Sequence, residues 1–471
     1  MYYSKGWSPT EIGDMCLIAH EDRLHLFHLC LPSHDTIAHL VSDDGVTWQR
    51  LPNALHVGEP GSFDDDQLWT MHVFAWNDRF HMLYTAMATQ EQGRIQRTGL
   101  AVSDDLTTWT KVEQNPVATP DARWYEADMN DSGRADWRDP FAWVEDDVIH
   151  GLICAHDPNA PFNRRGCVGH ITSRDAVNWE VLPPFYAPGI STDWEVPTMF
   201  KLDGRYYLMG HIVAPPIDVY RVANSLEGPW QRPSNDVLLP SNNHAFAPVV
   251  WRGKTLLYNW ISADFDWHPY ASGKSRAIVP PKEAVALPDG QLILKSFEDG
   301  WRTLSCAAVS QLPTVKFNSA QGMVFEHMQE LFPDHILETT VTMTAHSAGI
   351  LWRSDESGDQ CTRVAVVPGR ARIELHKLTR KMNYNAIGRG HVTLQENSIS
   401  LAPQEAFRLR VVAWGPYIEV SISGRVLLAY LTLSRRSGWL GFFVEDGRAT
   451  FEDIRITPLA PPEGFEKVND E

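Results

Sequence analysis

The sequence has no apolar run approaching the roughly 18 residues that a membrane-spanning helix requires. It also has no excess of positive charge: 41 Lys and Arg stand against 59 Asp and Glu, a net charge of −18. The first shortage predicts no membrane partner. The second predicts no nucleic-acid partner, because binding phosphates takes a basic stripe that the chain lacks. Cysteine is sparse, six in 471 residues. Cys16, Cys30, Cys154, Cys167, Cys306 and Cys361 form no CxxC pair, so reduced, buried thiols are expected rather than a disulfide framework. The opening MYYSKGWSPTEIGD has no basic stretch leading into an apolar core. No signal peptide is therefore read, and a cytoplasmic location is expected. There is no HExxH and no Gly-x-Ser-x-Gly, so neither a catalytic zinc nor an α/β-hydrolase serine is expected, and no cofactor of any kind.

What the chain does have is tryptophan, histidine and many short apolar stretches separated by Gly, Pro, Asn and Asp, the texture of an all-β protein. Five segments align without gaps: GDMCLIAHEDRLHLF from Gly13, WTMHVFAWNDRFHML from Trp69, RDPFAWVEDDVIHGL from Arg138, WEVPTMFKLDGRYYL from Trp194 and HAFAPVVWRGKTLLY from His244. Each carries a turn residue ten places in (Asp22, Asp78, Asp147, Asp203, Gly253) and then enters an apolar strand. A second element recurs downstream as VSDDGVTW, VSDDLTTW, TSRDAVNW and VANSLEGPW, ending at Trp48, Trp109, Trp179 and Trp230. Four strands per unit and a period of about 50 to 70 residues predict a propeller blade, five times over, between Asp14 and about Gly290. Beyond about residue 305 the alternating runs ILETTVTMTA, TRVAVVPG, AFRLRVVAWG and YIEVSISG predict an antiparallel β-sandwich. The expected division is a propeller over 1–300 and a sandwich over 305–460.

The second residue of the five segments is Asp14, Thr70, Asp139, Glu195 and Ala245. Equivalent positions around a propeller axis converge, so three carboxylates are expected to face one pocket. Glycoside hydrolysis needs such a set: one ionised carboxylate to attack, and one protonated to release the leaving oxygen. Mutual repulsion and burial would raise the pKa of the protonated member. The competing reading is three solvated acids that happen to share a turn-proximal position.

Trp137-Arg138-Asp139-Pro140 resembles the RDP motif of glycoside hydrolase family 32, the invertase and fructanase family, and Glu195-Val196-Pro197 is similar to its E-C-P motif. Gly13-Asp14 ahead of His25-Leu26-Phe27 is similar to the family's first motif, and Pro280-Pro281-Lys282-Glu283 to the segment that leaves the last blade. The resemblance implies a five-bladed propeller with a C-terminal β-sandwich and a carbohydrate partner. It implies a retaining exo-glycosidase acting on terminal furanosides, above all β-fructofuranosides, with fructosyl transfer as a further possibility. It further implies Asp14 as nucleophile, Glu195 as general acid/base and Asp139 as transition-state stabiliser, with Arg138 holding a ring hydroxyl or orienting an acid. Trp69 would wall the sugar site. The first motif departs from the family's W-M-N-D-P-N-G by lacking both Asn and the Pro, which alters the expected grip on the terminal sugar. Two readings therefore stand beside the first: an arabinofuranosidase of the related propeller clan, and a carbohydrate-binding protein without turnover.

Trp7, Trp194, Trp260 and Trp267 are candidate platforms for stacking a sugar face, against the alternative of core burial. The run Asp128 to Asp139 imitates a calcium loop in its acidic spacing but lacks helical flanks, so no metal is expected there. No feature of the sequence sets an oligomeric state.

Overall fold

The computed structural model describes residues 1, 12–128, 133–213, 215–263, 275–331, 333–378, 390–402, 404–432 and 437–462. Trp7, Trp267 and part of the acidic 128–139 run lie outside these residues. The chain divides into one unit of 1–238, 243–261 and 275–292 and a second of 239–242, 262–274 and 293–471.

The first unit is a five-bladed propeller of antiparallel sheets. Their innermost strands are Ile12–His20, Gln67–Trp76, Trp137–Glu145, Glu195–Leu202 and Asn243–Trp251. Each innermost strand lies against the next, and the first lies against the fifth, so the ring is closed. The local cause is turn chemistry. The hairpin after each innermost strand puts two residues at positive φ: Glu21-Asp22, Asn77-Asp78, Asp146-Asp147, Asp203-Gly204 and Arg252-Gly253. Two consecutive left-handed residues make the tight turn whose twist suits a hairpin, and Asn, Asp and Gly accept it most readily.

The recurring Ser-x-Asp motif shapes the outer turns. Asp44 accepts hydrogen bonds from the backbone N–H of Val46 (2.8 Å) and Thr47 (2.7 Å), Asp105 from Thr107 (2.8 Å) and Thr108 (2.7 Å), and Asp175 from Val177 (2.9 Å) and Asn178 (2.7 Å). The fourth repeat lacks this Asp, having Asn224-Ser225 instead, and its sheet holds three strands rather than the expected four. Only isolated bridges, Val222 to Gln231 and Val219 to Val237, stand where a fourth strand would pair. Pro229 and Pro233, which lack the ladder's N–H donor, interrupt that stretch.

The second unit forms a β-sandwich from ten strands that share one continuous hydrogen-bonded sheet folded back on itself. The long strands His335–Ser354 and Gly438–Pro458 make this possible, because register shifts along them let each bend from one layer to the other. Trp352, Leu409, Phe442 and Phe451 are central to its core.

Candidate active site

The innermost strands share a further device. Each breaks register with its neighbour close to the rim: between Ile12 and Met15, Trp69 and Met71, Arg138 and Phe141, Glu195 and Thr198, and His244 and Ala247. A β-bulge there re-aims the side chains it carries. In three blades the bulge holds a non-glycine residue at positive φ: Asp139 (59°), Val196 (46°) and Ala245 (56°). For a β-branched residue such as Val196 this conformation is strained, and strain of this kind clusters at functional sites.

These angles correct the expected register. Asp139 and Ala245 precede the ends of their strands, Glu145 and Trp251, by six residues, whereas Glu195 precedes Leu202 by seven. The true equivalent of Asp139 in blade four is Val196. Glu195 stands one place earlier, level with Arg138. The gapless alignment hid this because the fourth hairpin turns on Asp203-Gly204, one residue ahead of where the repeat placed it.

The three acids nonetheless meet. Asp14, Asp139 and Glu195 line one open pocket of about 880 Å³, together with Arg138, Trp69, Trp260, His34, His211, His244 and Arg276. Asp14 is fixed from two other blades: Thr70 Oγ1 donates to its Oδ2 (2.9 Å) and Trp260 Nε1 to its Oδ1 (3.0 Å). Asp139, only 3% exposed, accepts the Val196 backbone N–H at 3.0 Å. Burial pushes its carboxyl up to about 7, with Asp14 and Glu195 adding to the rise against the opposing pull of Arg138. Glu195 is 32% exposed and accepts from Arg138 Nη2 at 2.7 Å. One acid is thus enclosed and the other reaches solvent.

Behind Arg138 lies a buried ionic network. Its guanidinium also donates to Asp136 and to Asp193 (2.9 Å). His156 bridges Asp193 (3.2 Å) and Glu126 (2.9 Å), and Arg165 meets Glu126 at 3.3 Å. Burial works to raise the Asp193 carboxyl, but the hydrogen bonds from His156 and Arg138 and the charge on Arg138 outweigh it and hold it well below the usual carboxylate range. Asp136 is also held by Arg134 at 2.6 Å, so the acid nearest the end of the 128–139 run spends its oxygens on arginine and histidine.

Two trios have donor atoms close enough to share a cation: Asp136, His156 and Asp193, and His211, Asp218 and His244. In the first, Arg138 already supplies the positive charge. In the second, His211 bonds Asp218 at 3.0 Å; burial opposes protonation of His211, but the carboxylate prevails and raises its pKa.

Trp69 and Trp260 line the pocket as expected, Trp69 stacked on His34 and Trp260 on His244. Trp194 does not. It is 1% exposed, donates to the Met209 carbonyl at 3.2 Å and packs against Tyr186, a core position. Its indole occupies the space that a side chain on Gly210 would need: a Cβ there would fall 2.0 Å from Nε1. Side chains two apart in an extended run share a face, so Glu195 turns into the pocket while Trp194 turns into the blade. The same rule puts Asp193 beside Glu195, a signal in the sequence that the acid-repeat pattern did not use. His156 and Arg276 carry no local signal, because their partners lie on other strands or blades.

Residues 15–228 match the Glycosyl hydrolases family 32 N-terminal domain, a stretch that includes Asp139 and Glu195 and begins one residue after Asp14. An insoluble beta-fructofuranosidase isoenzyme of Arabidopsis thaliana is 25% identical over 256 residues, 50% of this chain and 40% of that protein. A levanase of Bacillus subtilis is 25% identical over 308 residues, 60% of this chain and 42% of that protein. The chain thus spans about two fifths of the length of these curated relatives. In fold, it is similar to fructan 1-exohydrolase IIa from Cichorium intybus, with a TM-score of 0.75 and 16% identity over 98% of this chain and 97% of that one.

Proposed function

Residues 15–228 form a glycoside hydrolase family 32 N-terminal domain, and from that premise we propose that the chain is a retaining exo-glycosidase acting on terminal furanosides, above all β-fructofuranosides. The observation that carries this reading is the convergence of Asp14, Asp139 and Glu195 on one pocket, each held differently. Thr70 and Trp260 hold Asp14 with neutral donors, which orients a carboxylate for attack without quenching it. Glu195 is the acid with access to a leaving group. Asp139, enclosed beside the bulge, is placed to bind sugar hydroxyls.

In the first step Asp14 forms a bond to the anomeric carbon as the glycosidic C–O bond breaks, and the Glu195 proton goes to the departing oxygen. In the second, water gives a proton to Glu195 while its oxygen displaces Asp14 from the anomeric carbon. A second sugar in place of water gives transfer. Asp14→Ala and Glu195→Ala should each lower kcat on sucrose, inulin or levan by several orders of magnitude without loss of fold, with products followed by chromatography and their first-formed anomer by NMR. Full activity in either variant, or an inverted anomer, removes the reading. The absence of both Asn residues from the first strand makes aryl-arabinofuranosides the second substrate class for the same assay.

A further inference from the structure

Arg276 lies in the strand Ser275–Ile278 and lines the same pocket. Two guanidinium groups border that cavity, and they differ in one respect. Arg138 is surrounded by carboxylates. Arg276 has none: no described residue forms an ion pair or hydrogen bond with it, and its Nε is buried without an acceptor. It lies over the Trp260 ring, 4.3 Å from the centroid, and that indole is the one that donates to Asp14. Stacking fixes the plane of the guanidinium and aims its donor edge.

We propose that Arg276 is an anion-binding element of the substrate pocket, and that the furanoside taken by this chain carries a phosphate or carboxylate group which Arg276 holds.

A partly buried cation without a counter-ion is costly, and a planar fork of donors matches two oxygens of one anion. Burial lowers the pKa of Arg276, opposed only by the distant charge of Asp14, as expected of a cation awaiting a partner. Neutral sugar hydroxyls would satisfy its hydrogen bonds but leave the charge uncompensated. Asp14 is not that partner, since Thr70 and Trp260 hold its two oxygens. Nor do the acids of the pocket forbid an anion. Asp139 keeps its proton up to about pH 7, and in the glycosidase cycle Glu195 begins protonated, which leaves Asp14 as the anion that must persist.

The inference rests on the glycosidase reading for the word furanoside, but the test separates the two. Calorimetric titration of the full chain with fructose 6-phosphate, glucose 6-phosphate, glucuronate and inorganic phosphate, against uncharged fructose and glucose, gives the affinity ratios. At least one sugar anion should bind 10-fold or more tightly than its neutral parent. Arg276→Gln should erase that ratio while leaving affinity for the neutral sugar within about 3-fold, and Arg276→Lys should retain part of it. A preference among phosphates names phosphate as the group, and a preference for glucuronate names carboxylate. Equal affinity for charged and neutral sugars in the wild type, or equal losses of both in Arg276→Gln, overturns the proposal. Turnover of sucrose and its 6-phosphate is measured alongside. Tight anion binding without turnover of any furanoside counts against the glycosidase reading alone. Turnover with no anion preference counts against Arg276 alone.

Discussion

Asp139 and Glu195 share a guanidinium neighbour, yet burial separates them: one is enclosed and the other a third exposed. The folded chain holds the Asp139 proton to about pH 7, whereas an unfolded chain releases it near its ordinary value of 3.8. Across that window the folded state binds more protons, so stability falls as pH rises through it. Asp139→Asn should therefore raise the melting temperature more at pH 8 than at pH 5, by the equivalent of about 1–2 kcal/mol, while lowering activity. Thermal melts at the two pH values decide it, and an equal gain at both refutes the linkage. Asp193 acts on Glu195 through Arg138, whose Nη2 the two acids share. The charged or titratable groups around Glu195 are Asp14, Arg138, Asp139, Cys154, Asp193 and His211. Removing the negative charge of Asp193 leaves Arg138 less neutralised and should favour ionised Glu195. Asp193→Asn should then move the alkaline limb of kcat/KM to lower pH by about one unit. A lower kcat with an unmoved limb would reduce Asp193 to a packing role.

Two glycines on the second strand and turn of blade four show how differently backbone can be constrained. Gly204 has a φ of 78° and open space around its missing Cβ, so only conformation restricts it. Gly204→Ala should cost about 1 kcal/mol in denaturant melts, with kcat intact, because the cost of a left-handed residue is local. Gly210 is restricted by contact with the Trp194 indole instead. Gly210→Ala should cost more, about 1–3 kcal/mol of overpacking, and should also lower kcat, because displacing Trp194 moves the adjoining Glu195. The turns were legible in the sequence since Asn, Asp and Gly announce positive φ, and the Ser-x-Asp motif announces its own hydrogen bonds. The burial of Trp194 was not, because it depends on an absent side chain on the neighbouring strand. The one-residue offset at Glu195 was hidden for a related reason: turn composition shows that a hairpin exists more clearly than where it pivots.

At the scale of the propeller, the site draws on every blade: Asp14 from the first, Thr70 from the second, Asp139 from the third, Glu195 from the fourth, Trp260 and Arg276 from the fifth. Closure of the ring is therefore a condition of chemistry as well as of stability. Trp251 Nε1 and the Arg252 guanidinium bond Asp22, and the buried Tyr258 hydroxyl donates to the Gly45 carbonyl at 2.8 Å. Tyr258→Phe leaves that carbonyl unsatisfied and should lower stability by about 1–2 kcal/mol, with activity and near-ultraviolet circular dichroism lost at one shared, lowered urea midpoint. Activity that outlasts the dichroism would show that the site survives an open ring. The propeller itself was foreseeable because its repeat is written in local turn chemistry. The Arg138 network was not, since Glu126, His156 and Arg165 reach it from separate stretches of chain.

The rim bulges separate where a side chain is aimed from which side chain it is. Ala245 occupies in blade five the left-handed position that Asp139 occupies in blade three, on a backbone already bent toward the pocket. A lineage carrying this ring could exchange one catalytic group for another by single substitutions at such sockets, leaving every strand in place. Blade five is the socket still holding a methyl group.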